Sequence, residues 1–238
     1  MCGAERKENE KSGPHDKAPY HTLLALDFDQ TLALTYPHIV PVWDDFMVKW
    51  LVEHGHCATR AEARSQIPHI VNPYGCGPTT MAKHFGTNKA WIEAFYLASA
   101  PLLVEACTKG GLSIPPDLKP TLRALDKKGF YLCIISQGHR DSILPLLKLI
   151  GLAELFSPIQ VIDRAHKRLE PHGYQIAKYM ARNHPIQRFV MCDDSPANFP
   201  HAKTEGFETV LILPNPTAEE RASANSHAPD LLTFLKTL

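Results

Sequence analysis

The chain has 238 residues, 44% of them hydrophobic, and its 25 basic side chains are matched by 25 acidic ones. That length can bury a proper core, as one large domain or one domain with a sizeable insertion. Zero net charge excludes the basic footprint of a nucleic-acid binder and a polybasic membrane-surface segment; no uninterrupted apolar run has the length of a membrane span, and the N-terminus lacks the apolar core of a signal peptide, so a cytoplasmic enzyme is expected.

Residues 1–19 (MCGAERKENEKSGPHDKAP) carry almost no large apolar side chain and are expected to form a flexible tail. The run Thr22–Leu26 follows, the first of five short β-rich runs. It delivers two carboxylates of the same parity, Asp27 and Asp29, with a hydroxyl at Thr31. Residues two apart on a strand share a face, so continued extended backbone turns both acids the same way. Crowded carboxylates repel and need a cation. All-oxygen ligation of this kind suits Mg²⁺, which takes one or two protein carboxylates plus water and substrate phosphate. The pattern points to phosphoryl chemistry.

About ninety residues then precede the next core helix, far more than an ordinary crossover needs. Helices are predicted at Trp43–His54, Arg60–Ile70, Thr79–Phe85 and Lys89–Thr108, broken by Gly55, by Asn72–Pro78 and by Gly110-Gly111. They read as a helical cap, residues 37–111, inserted into a core of residues 20–36 and 112–238. Trp43, Phe46, Trp50 and His54 fall at helical spacing, and the aromatics read as the cap's own core.

Beyond the insert, predicted helices at Leu118–Lys128, Asp141–Ile150, Tyr174–Asn183 and Ala197–Glu205 alternate with β-rich runs at Phe130–Ile135, Ile159–Ile162, Arg188–Cys192 and Thr209–Leu213. Most of these runs are nearly continuous in apolar residues, as strands buried on both faces are. The alternation predicts an α/β, doubly wound parallel sheet of Rossmann-like type. Ligands in such sheets bind beyond the carboxyl ends of the strands, where Asp27, Ser136 and Asp194 emerge.

The six cysteines show no paired spacing of metal-binding or redox type and read as reduced thiols, with Cys133 and Cys192 as buried small hydrophobes. Among the 13 histidines there is no HExxH pair or similar ligand spacing, which argues against zinc.

Together these features resemble the haloacid dehalogenase superfamily of phosphohydrolases. Asp27, Asp29 and Thr31 match its first motif, DxDxT after a strand. Ser136, closing YLCIIS before Gln137-Gly138-His139, resembles its second, a hydroxyl at a strand tip. FVMCDDSPAN, with Asp193, Asp194 and Asn198, resembles its acidic motif. The resemblance implies that Asp27 attacks phosphorus and that Asp29 serves as acid and base. It places Mg²⁺ among Asp27, the backbone carbonyl of Asp29 and Asp194, with Asp193 acting through water or by orienting the loop. Thr31, Ser136 and Gln137 would hold the phosphoryl oxygens. Dehalogenating members lack the second aspartate, so Asp29 favours phosphate esters.

The third motif departs from the pattern. Where family members carry a lysine, commonly in a Lys-Pro string, this chain has Glu170-Pro171. An added negative charge beside the aspartates would be unfavourable unless it pointed away. Lys167 is the first candidate to supply positive charge, Arg168 the second and Lys178 the third.

Within the superfamily, PYGCGPTTMAKHFG, LSIPPDLKPTLRALDKKGFYLCIIS and LLKLIGLAELF look like the pyrimidine 5′-nucleotidase-like branch. The expectation is a Mg²⁺-dependent phosphomonoester hydrolase acting on a small phosphorylated metabolite, with a nucleoside monophosphate as first guess. A protein phosphatase on the same fold and a catalytically silent binding protein are the alternatives.

Overall fold

The computed structural model describes residues 18–70 and 84–238. The predicted tail apart from Ala18 and Pro19, the Asn72–Pro78 break and most of the predicted Thr79–Phe85 helix lie outside those residues. The strands are β1 (Thr22–Leu26), β2 (Phe130–Ile135), β3 (Val161–Ile162), β4 (Arg188–Asp193), β5 (Glu208–Ile212) and β6 (Ser226–Ala228). They form one sheet in the order β3-β2-β1-β4-β5-β6, and every pairing is parallel.

Strand periodicity divides the core into two layers. Leu24, Leu26, Leu132, Ile134, Val190 and Cys192 join one buried cluster, while Leu23, Ala25, Cys133, Ile135 and Met191 join the other. Successive side chains point to opposite faces, so both faces are covered and the apolar runs are continuous.

The core helices are α4 (Leu118–Lys127), α5 (Arg140–Leu149), α6 (His172–Met180), α7 (Phe199–Thr204), α8 (Ala218–Ala222) and α9 (Leu231–Leu235). Three differences from the predicted elements have local causes. The run Ile159–Ile162 is a strand only at Val161–Ile162, because Pro158–Gln160 forms a 3₁₀ turn in which Gln160 Oε1 accepts from Ser157 N–H. The predicted helix Ala197–Glu205 splits into a 3₁₀ turn, Pro196–Asn198, and α7, whose first turn contains Pro200. The sixth strand, Ser226-His227-Ala228, is too short and polar to show a strand pattern and pairs at the sheet edge with β5.

Between β1 and α4 lie α1 (Tyr36–Glu53), α2 (Arg60–Ile70) and α3 (Lys89–Lys109). Helix α1 starts earlier than predicted, with Pro37 in its first turn, where a missing N–H costs no helical bond. Met47, Trp50, Leu51, Ala63 and Phe95 form a separate cluster, with Trp43 and Phe46 packed against it. Trp50 stacks on His54 at 3.8 Å between ring centroids. The predicted aromatic stripe is therefore core of this helical segment.

Helix α3 bridges the two hydrophobic regions. Phe95 belongs to the insert's cluster, whereas Cys107 belongs to a cluster of the sheet. By length and composition alone α3 could cross a membrane, with mean hydropathy 1.3. Charged residues such as Glu93 and Glu105 interrupt it, which is why no continuous apolar run marks it. It packs against α1 and α5.

Candidate active site

Strand register brings the acids together. Leu26 lies opposite Ile134 on one side and Cys192 on the other. Asp27, one residue further, is therefore level with Asp193, and Asp27 N–H donates to Cys192 C=O at 2.9 Å. Asp27, Asp193 and Asp194 each offer a carboxylate oxygen, all within 4.8 Å of one another.

Lys167 completes this group. Its side chain is wholly buried, with Nζ 2.8 Å from Asp27 Oδ1 and 2.5 Å from Asp193 Oδ2. The other two basic candidates are engaged elsewhere. Arg168 donates to Ser195 Oγ at 3.2 Å and Asn198 Oδ1 at 3.3 Å, and Lys178 Nζ donates to Glu205 C=O at 2.9 Å. Glu170 is exposed, so its charge stays in solvent.

Asp193 anchors its loop. It is fully buried and accepts from Lys167, from Ser195 N–H at 2.9 Å and from Asn198 Nδ2 at 2.8 Å. The asparagine of the acidic motif thus fixes its first aspartate. Tyr174 of α6 braces the same turn by donating its hydroxyl to Asn198 C=O at 2.8 Å. Asp194, only partly buried, is left facing the site.

Asp29 is placed differently from the other acids. Its Oδ1 accepts a 2.6 Å hydrogen bond from the buried Thr35 hydroxyl, and its carboxylate is not part of the close trio. Gln30 makes this turn in the left-handed region, at φ 60°. Its N–H donates to Ala33 C=O at 2.8 Å, and its side-chain carbonyl accepts from Tyr36 N–H at 2.9 Å.

Ser136 directly follows β2, is buried, and accepts from Gly138 N–H at 3.0 Å. A methyl group at Gly138 would come within 3.3 Å of Ser136 Oγ and 3.7 Å of Asp29 Oδ2. Glycine therefore keeps open a space between those two side chains. Gln137 sits half-buried on the same turn. Thr31 is buried with no hydrogen-bond partner for its hydroxyl among the described residues. It lines a cavity of about 560 Å³ with Leu34, Ile114 and Leu232, whose walls include none of Asp27, Asp29, Asp193 and Asp194.

Electrostatics set these groups apart. Burial pushes the Asp27 carboxyl well above its usual range, opposed by Lys167 and reinforced by Asp193, Asp194 and Asp29. Burial, then Asp193, raises Asp194 to about 7. Asp29 is raised by burial despite the Thr35 hydrogen bond. The Lys167 ammonium is disfavoured by burial, yet Asp193 and Asp27 more than offset this and hold it protonated. One ammonium among four carboxylates leaves negative charge uncompensated, so the oxygen-only trio fits a hard divalent cation such as Mg²⁺.

A family model described as haloacid dehalogenase-like hydrolase matches residues 24–212. The chain belongs to this family. A comparison with curated proteins finds no match. Among solved structures, the chain is similar to a phosphatase of the superfamily from Thermococcus onnurineus, at 21% identity and TM-score 0.60, covering 92% of this chain and 97% of that one. It is similar to CbbY from Rhodobacter sphaeroides at 18% identity and TM-score 0.62, covering 88% and 94%. It is similar to an L-2-haloacid dehalogenase at 16% identity and TM-score 0.56, covering 92% and 98%. At these identities the structural likeness speaks to fold.

For a haloacid dehalogenase-like hydrolase, the site also holds residues that motif reading passed over. Thr35 looks like a helix-leading threonine until the fold brings it to Asp29. Tyr36 opens α1, and its phenol is driven upward by burial and by the negative charges of Asp29, Asp194, Asp27 and Asp193, which marks it as facing the acids. No spacing signal in the sequence connects either to the site.

Proposed function

We propose that this hydrolase is a Mg²⁺-dependent phosphomonoester hydrolase that works through an aspartyl-phosphate on Asp27. The observation that carries this reading is the contact of Asp27 with the buried Lys167, beside Asp193 and Asp194, while Asp29 is held apart by Thr35. That is one carboxylate held against an ammonium for attack and a second, bonded to a hydroxyl and set apart from the ammonium, available for proton transfer.

In the first half-reaction an Asp27 carboxylate oxygen forms a bond to phosphorus as the bond to the ester oxygen breaks, and Asp29 gives its proton to the departing oxygen. In the second, Asp29 takes a proton from water, the water oxygen attacks phosphorus, and the acyl-phosphate bond breaks to restore Asp27. Lys167 offsets charge on Asp27, and Ser136 with the N–H groups of the turn after β2 holds phosphoryl oxygens. Asp27, Asp194 and the backbone carbonyl of Asp29 would hold Mg²⁺, with Asp193 orienting their loop. Bound there, the ion screens charge on the entering and leaving oxygens.

Asp29 supports phosphate esters over haloacids, because the resemblance assigns this second aspartate to phosphatases. The segment α1–α3 is read as a cap over the site, which favours a small phosphorylated metabolite in the cytoplasm, a nucleoside monophosphate first, through likeness to the pyrimidine 5′-nucleotidase branch. Purified protein assayed with p-nitrophenyl phosphate, a nucleotide panel and 2-chloropropionate tests this. Phosphate release that needs Mg²⁺ and stops in EDTA, with no chloride release, is expected. Chloride release, or full phosphatase activity in EDTA, would overturn the reading.

A further inference from the structure

We infer that Glu93 of α3 is a positioning residue for the phosphoryl site, acting through Arg164 and His139; this rests on the phosphatase reading above. The two partners flank the chemistry in sequence: His139 follows Ser136 by three positions, and Arg164 precedes Lys167 by three. Glu93 is thus the point at which the insert grips both loops at once.

Three backbone hydrogen bonds already join those loops. Ser136 N–H donates to Ile162 C=O at 2.9 Å, Ala165 N–H to Ser136 C=O at 2.9 Å, and Arg164 N–H to Gly138 C=O at 2.9 Å. Making the last of these puts Arg164 in the left-handed region, at φ 52°. A non-glycine residue rests there only when its surroundings hold it. The holding contacts come from its side chain: Arg164 Nη1 donates to Glu93 Oε1 at 2.5 Å and Oε2 at 2.6 Å, while Nε donates to Asp163 Oδ2 at 2.8 Å.

His139 is held from the same helix. Its Nδ1 accepts from Asp141 N–H at 3.2 Å, capping α5. The ring proton therefore resides on Nε2, which faces Glu93 Oε1 at 3.4 Å. Tyr96, one helical turn after Glu93, stacks on the His139 ring with centroids 6.4 Å apart. The Glu93 and Arg164 side chains are 35% and 36% exposed, so the pair adds little to global stability. Its effect is on loop geometry.

The test is Glu93→Gln, which keeps the shape and removes the charge, compared with Arg164→Met and the double variant. With p-nitrophenyl phosphate and Mg²⁺, kcat is expected to fall about tenfold or more, with a smaller change in KM and an unchanged melting temperature. The double variant should exceed Arg164→Met only by what Glu93 contributes through His139, and fall short of the product of the two single effects, as expected for residues that share a contact. Hydrogen exchange at the Arg164 and Ala165 amides should quicken in Glu93→Gln, a readout independent of activity. Loss of phosphatase activity in the wild type alone would sink the functional reading and leave the exchange result to decide the latch. Unchanged exchange, or single effects that multiply in the double variant, would overturn it.

Discussion

Lys167 Nζ lies 2.8 Å from Asp27 Oδ1, in a chain that carries Glu170 where the motif resemblance implies lysine. The positive charge comes from three residues earlier on the same loop. Because Asp193 holds the ammonium from the other side, Lys167 joins the tips of β1 and β4 as well as offsetting charge.

Lys167→Met should therefore damage fold and activity together. Removing one member of a wholly buried ion group leaves its partners uncompensated, a loss of about 3–5 kcal/mol. Urea denaturation measures this, and the added change Asp193→Asn should recover part of the stability without activity. Wild-type stability in Lys167→Met would contradict the buried contact.

Thr35→Val removes the donor to Asp29 Oδ1. That hydrogen bond lowers the Asp29 pKa, so its loss moves the pKa up and extends the protonated form to higher pH. Turnover of phenyl phosphate, whose poor leaving group needs the acid, should nevertheless drop about tenfold to a hundredfold, because the carboxyl is no longer held in position. The drop with p-nitrophenyl phosphate should be smaller, and the basic limb of the pH profile should shift upward.

Asp194 gives a pH signature for the metal-free protein. Its folded pKa of about 7 exceeds the ordinary 3.8, so between those values the folded state binds more protons than the unfolded one. Stability should then fall as pH rises through that window. Mg²⁺ needs the ionised carboxylate, so the rise in melting temperature on adding Mg²⁺ should grow from pH 6 to pH 8. A Mg²⁺ effect that is flat with pH would contradict the assignment of Asp194.

Gly173→Ala probes the packing of α6 against Ala165 and the end of β2. A methyl group there would lie 2.9 Å from Ala165 Cβ and 3.1 Å from Ile135 Cγ2, too close for a core without displacement. The expected cost is about 1–3 kcal/mol, read by thermal melting, and the shift of α6 should also lower kcat.

Much of this was legible in the sequence, for identifiable reasons. Doubly covered parallel strands announce themselves as apolar runs, and Asp27, Ser136 and Asp194 each sit directly past one, so strand ends located the site. Lys167 emerged from the need for charge compensation near Glu170. The Asp29 partner was not legible: the chain leaves extended geometry at Gln30 and brings the Thr35 hydroxyl to the Asp29 carboxylate. Thr31 matched a motif by spacing, and the fold buries its hydroxyl in the wall of a cavity lined by Leu34 and Leu232. Glu93, Thr35 and Tyr36 reach the site only through tertiary packing, which no local pattern encodes.

The central claim is that Asp27 takes up the phosphoryl group, and acid-quenched labelling tests it most directly. Protein mixed with a phosphate ester and Mg²⁺, quenched and digested, should yield one hydroxylamine-labile phosphopeptide containing Asp27, and none from Asp27→Asn. Phosphate on another residue, or undiminished turnover by Asp27→Asn, would contradict the account.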